Sequence, residues 1–276
     1  MRVTFDTNVW NRMVFPERYV NNPNYLSLVA IKTAIKQEQM SGFICEAFGT
    51  IEAIKKENRA KFHAQSVPKI EVRHESKAGL LSMAIEVNAN HGLHPGLTEE
   101  FEEELAEALA IGMKLLTTPY IALPVPSRLR DNPHIYAREV FATADYNERF
   151  GDVARTIFAR GVGEGALAAL VKEFKERLDG PLPAGFSDRL LIYSVYQYAC
   201  DSGLKKEKNQ IEKAFAEAAD GDLVAAHIAF GSEYLCTEDS GGSAVSQSIF
   251  DIQNRAWLNS EYGVKILNVR QLAKLL

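Results

Sequence analysis

Arg2-Val3-Thr4-Phe5-Asp6-Thr7-Asn8 sets the reading of the whole chain, because a short apolar run stops at an acid. Residues 3–5 are too few for a helix and suit a buried strand. A second run of this kind, Tyr234-Leu235-Cys236-Thr237, ends at Glu238 and Asp239. In an open α/β sheet ligands bind outside the carboxyl ends of the strands, so acids placed there are candidates for chemistry. Two more join them. Glu52, in Phe48-Gly49-Thr50-Ile51-Glu52, is expected within the helix that follows a strand over 42–45. Asp222 precedes the apolar stretch Leu223-Val224-Ala225-Ala226 and suits a helix N-terminus, where the dipole favours negative charge.

Convergence of four acids on one rim carries an electrostatic cost. Two carboxylates about 5 Å apart repel by roughly 3 kcal/mol at an effective dielectric near 20. Such a group must hold protons or cations. Oxygen ligands suit Mg²⁺ or Mn²⁺, and none of the four segments has the Cys/His spacing of a zinc site.

The chain has 276 residues, 46% of them hydrophobic, which is enough for one large domain. Net charge is −5, so no global basic field advertises nucleic-acid binding, and any phosphate contact must be local. Cys45, Cys200 and Cys236 are an odd, widely spaced set, expected to be structural thiols in a reducing cytoplasm. No apolar run reaches membrane-spanning length, and a soluble, cytoplasmic protein is the expectation.

Between the two ends the pattern is mostly helical. Residues 25–39 carry Leu28, Ile31, Ala34 and Ile35 at helical spacing, with Gly42 beyond. Residues 52–62 read as a helix crowded with Lys55, Lys56, Arg59 and Lys61, the best-placed basic patch, although a solvated helix face accounts for the same pattern. Residues 70–72 suit a short strand. Thr98 can cap a helix whose first turns hold an acidic run, with Phe101, Leu105 and Leu109 inward and the acids serving the dipole rather than ligation. Residues 114–116 lead into 121–125, where prolines suggest a sheet edge or a loop. Leu167, Leu170, Val171, Phe174 and Leu178 form a stripe; further helices are marked by Leu190, Leu191, Val195 and Tyr198, then by Ile211, Phe215 and Ala218. A last strand over 264–267 precedes a terminal helix from Val269. The glycines at 161, 163 and 165 lack the preceding strand of a dinucleotide loop. His91 and His94 have no third ligand nearby, and His227 is expected to be a core or boundary residue. Residues 240–243 could present backbone amides to a phosphate or merely connect.

These features together resemble the PIN domain, a family of metal-dependent ribonucleases. The resemblance rests on Asp6-Thr7-Asn8 after the first strand, a Glu after the second, Asp222-Leu-Val-Ala-Ala-His, and Thr237-Glu238-Asp239. It covers roughly the first and last sixty residues. It implies a three-layer α/β/α fold around a central, mostly parallel sheet, as a single domain: core from about 1–65 and 216–276, with 75–215 partly core and partly helical insertion. It also implies metal-binding and catalytic roles for Asp6, Glu52, Asp222 and Asp239. Thr7, Asn8 and Thr237 would support them, and Glu46 and Asp220 are the neighbours competing with Glu52 and Asp222. The implied cofactor is Mg²⁺ or Mn²⁺, the implied substrate RNA, and Lys55, Lys56 and Arg59 would contact it. Rival readings are a catalytically silent RNA- or protein-binding scaffold, and a toxin held by a protein inhibitor; a homodimer is compatible with any of them. An aspartyl-phosphate phosphatase would need a second Asp where this chain has Asn8.

Overall fold

A computed structural model describes residues 1–50, 52–55, 58, 69–77, 80–88, 96–118, 135–138, 145–178, 188–241 and 248–276. Among the described residues, five strands form one sheet: β1 (Arg2–Phe5), β2 (Ser41–Cys45), β5 (Lys114–Leu116), β6 (Tyr234–Cys236) and β7 (Lys265–Leu267). Their order is β5-β2-β1-β6-β7, and every pairing is parallel. Parallel sheets need cover on both faces, and here the alternation of side chains supplies two cores. Val3, Phe5, Ile44, Leu115 and Cys236 face one way. Phe43, Cys45, Leu116 and Leu235 face the other.

The first core is closed by α1 (Thr7–Val14), α2 (Tyr25–Lys36), α3 (Glu99–Ala110) and the short C-terminal helix (Val269–Ala273), around the fully buried Trp10, which packs edge-on to Phe101. Thr98 caps α3 by accepting from the Phe101 N–H, as its sequence predicts. The second core is closed by α4 (Tyr146–Ala159), the C-terminal half of a 26-residue helix (Lys205–Phe230) and the helix Ile252–Tyr262. The product is α/β, layered helix–sheet–helix.

Helices over Glu164–Glu176 and Asp188–Asp201 pack with the N-terminal half of Lys205–Phe230 in a third core of Leu167, Leu170, Val171, Phe174, Ile211 and Phe215. Here Tyr198, expected inward, is 64% exposed, and Ile192 and Tyr196 take the buried positions. A separate antiparallel hairpin, β3 (Lys69–Lys77) with β4 (Leu80–Asn88), stands where short strand and then helix were expected. Its signal was present in the period-two alternation of residues 81–88. Residues 121–125, His91 and His94 lie outside the described residues.

Candidate active site

The sheet reverses its winding direction between β1 and β6, and this switch opens a crevice at their carboxyl ends. Asp6 follows β1 directly. Its backbone N–H still donates to the Cys236 carbonyl, so the chain leaves the sheet at this residue and enters α1. The Asp6 carboxylate caps α1: Oδ1 accepts from the Thr7 N–H at 2.7 Å, and Oδ2 accepts from the Asn8 amide and the Thr237 hydroxyl, both at 2.6 Å. Thr237 follows β6. Asn8 also accepts from the Glu238 N–H at 3.1 Å, and the Thr237 hydroxyl accepts from the Asp239 N–H at 3.0 Å. The two strand ends are thus cross-linked by one small polar net, in which Asn8 does more than turn the chain.

Asp6 is buried, and desolvation raises its pKa above the usual carboxylate range against the three donors that lower it. Asp220, on the helix Lys205–Phe230, is raised well above its ordinary value. Desolvation is the largest cause, followed by the charges of Asp6, Glu217, Glu52 and Asp239. Acids from four separate segments therefore share one field, and each of these contributions opposes ionisation. Glu217, one turn before Asp220, is buried and pushed up to about 7 by desolvation; its Oε1 accepts from the N–H groups of Ile249 at 2.6 Å and Gly163 at 3.2 Å.

Two sequence expectations need correction. Asp222 does not open a helix: it lies inside Lys205–Phe230, because the apolar stripe from Ile211 through Ala218 continues into Leu223 and Val224 without a break. Its carbonyl faces the Cys45 thiol at 3.8 Å, and its charge bears on Cys45 and Tyr146, whereas the charges of Asp6, Glu52 and Asp239 bear on Asp220. Glu52 is not within a helix. It is exposed in a turn after the 3-10 helix Glu46–Thr50, its N–H donating to the Phe48 carbonyl, yet it reaches the shared field.

Glu46 is buried on the opposite flank, accepting from the Tyr136 hydroxyl at 2.6 Å and the Thr118 N–H at 3.1 Å, where it ties the end of β2 to that of β5. Lys55 is exposed; Lys56 and Arg59 lie outside the described residues. His227 is buried against the Thr4 hydroxyl, its pKa lowered to about 4 by desolvation, so it is neutral and structural. Sequence reasoning missed Arg255, whose Nη2 donates to the Asp239 carbonyl and whose Nε donates to the Phe250 carbonyl at 2.7 Å. Asp251 as cap and Gly263 as terminator would have announced its helix.

The donors fit a hard divalent ion in kind: carboxylates with a hydroxyl beside them, in a field that disfavours bare charge. Among the described residues, no three Asp, Glu, His or Cys side chains already stand close enough together to hold one. No protein-family model, curated protein or solved structure matches this chain.

Proposed function

We propose that the chain is a metal-dependent phosphodiesterase that cuts RNA, in the manner of the PIN domain it resembles. The observation that carries the reading is that the charges of Asp6, Glu52 and Asp239, from three other segments around the switch between β1 and β6, all bear on Asp220. Asp6, Asp239 and, in place of the Asp222 first expected, Asp220 would hold Mg²⁺ or Mn²⁺, with Glu52 at the rim. An ion held by these carboxylates would supply positive charge beside the phosphoryl oxygens and would make water a better nucleophile.

The chain's own residues prepare that step. Thr237 and Asn8 fix the Asp6 carboxylate in one orientation, which lowers the reorganisation needed when a cation arrives. The hydrogen bond from Gly241 N–H to Asp239 Oδ1, at 2.8 Å, holds the loop after β6 in the same way. Among the described residues, no helix is long and apolar enough to cross a membrane.

The test is a cleavage assay on single-stranded and structured RNA, and on matching DNA, with Mn²⁺, Mg²⁺ or chelator. Cleavage that needs a divalent ion and vanishes in Asp6→Asn is expected. RNA that is bound but never cut under any ion would replace this reading with that of a silent scaffold, and activity appearing only after removal of a co-purifying protein would indicate an inhibitor.

A further inference from the structure

Arg255 is a cation at the edge of an acidic mouth, but its hydrogen bonds are not made to acids. Nε and Nη2 donate to two neutral carbonyls, those of Phe250 and Asp239, and the Phe250 ring lies 5.9 Å from the guanidinium. The side chain is half-buried, and desolvation lowers its pKa while the charge of Asp239 opposes that shift. A guanidinium has more N–H donors than two carbonyls can use, and its fork matches the oxygens of a phosphate. Structural needs alone do not call for charge here, since an amide would serve two carbonyls without the cost of desolvating a cation.

We propose that Arg255 is a phosphate-binding residue, whose remaining N–H groups take a non-bridging oxygen of a phosphate seated beside Asp239 at the β1–β6 crevice. The acids at this mouth repel a phosphodiester, and a cation anchored on the backbone of the Asp239 loop offsets that repulsion at the place where it acts. Its anchoring on Phe250 and Asp239 fixes the fork before the ligand arrives. That the phosphate belongs to a nucleic-acid strand rests on the function proposed above; that an anion binds here does not.

The experiment compares wild type, Arg255→Lys and Arg255→Gln in two measurements. In the first, inorganic phosphate is added to metal-free protein at constant ionic strength and thermal unfolding is followed. Phosphate should raise the midpoint of wild type, less that of Arg255→Lys, and leave Arg255→Gln unchanged; equal shifts in all three would overturn the inference. In the second, cleavage of single-stranded RNA is measured across salt. Arg255→Gln should raise KM about tenfold, leave kcat within a few-fold, and flatten the log–log salt slope by about 0.7, the share of one phosphate contact on a single strand. An unchanged KM and slope with a lower melting point would make Arg255 a clamp for the Asp239 loop and nothing more. If wild type cuts no nucleic acid while phosphate still stabilises it through Arg255, the nuclease reading falls and this inference stands.

Discussion

Asp220 and Asp222 are two residues apart, and on an α-helix that is about 200° of rotation, so they look out from nearly opposite sides. They therefore face different surroundings: the charges of Asp6, Glu52 and Asp239 bear on Asp220, and that of Asp222 bears on Cys45 and Tyr146. Asp220→Asn should therefore abolish metal-dependent cleavage, by at least about 100-fold, and leave the metal-free protein as stable as wild type or more so, because a buried repulsion is relieved. Asp222→Asn should stay within a few-fold in the same assay. The opposite ranking would return the metal to Asp222. Glu217 allows a second test at this scale. Its folded-state pKa, about 7, lies above the ordinary value of 4.5, so its charged form costs stability. That cost is absent below about pH 4.5, grows as pH rises through the interval, and is complete above 7. Gln keeps the acceptor for Ile249 and Gly163 without the charge. Glu217→Gln should match wild type at pH 4 and exceed it at pH 8 by up to about 3 kcal/mol in urea unfolding of metal-free protein. Asp239 and Asp220 face the same carboxylate, so an ion bound to them should shrink the difference.

At the scale of elements, the helix Lys205–Phe230 does two jobs that the sequence presents as separate. A glycine beside an acid, Gly221-Asp222, looks like a helix start, yet it sits in mid-helix because Gly163 needs the space. A Cβ on Gly221 would come within 2.8 Å of the Gly163 Cα, and Gly163 itself has φ +59°, a left-handed conformation that favours glycine. Gly→Ala in an exposed helix interior gains about 1 kcal/mol. Gly221→Ala should instead lose about 1–3 kcal/mol, because backbone meets backbone and neither element can give way without moving the loop that Glu217 holds. A neutral or stabilising result in chemical denaturation would mean that the two glycines do not touch.

Across the whole molecule, the acids are gathered by long-range topology. Asp6 comes from the N-terminus, Asp220 from a helix on the second face, Asp239 from the far side of β1, and Glu52 from the turn after β2. An ion that binds this arrangement must stabilise the fold as a whole. Mn²⁺ at about 100 times its dissociation constant should add roughly 2.7 kcal/mol to unfolding, raising the melting point of wild type but not of Asp6→Asn. His227 works in the opposite pH direction from Glu217: its depressed pKa supports the fold above about 6.5, and that support is lost as pH falls through 4.

Local pattern by itself determined the α/β alternation at the two ends of the chain, the capped helix after Thr98, the buried Cys45 and Cys236, and the acids at the ends of β1 and β6, since each depends on residues within a few positions of one another. It did not determine which acid of the pair 220 and 222 faces the crevice, where Glu52 stands, or that Arg255 enters beside Asp239. Those depend on where a helix begins and how it rotates against the sheet, and both are decided by contacts between residues far apart in the chain, such as Gly221 on Gly163 and Glu217 on Ile249.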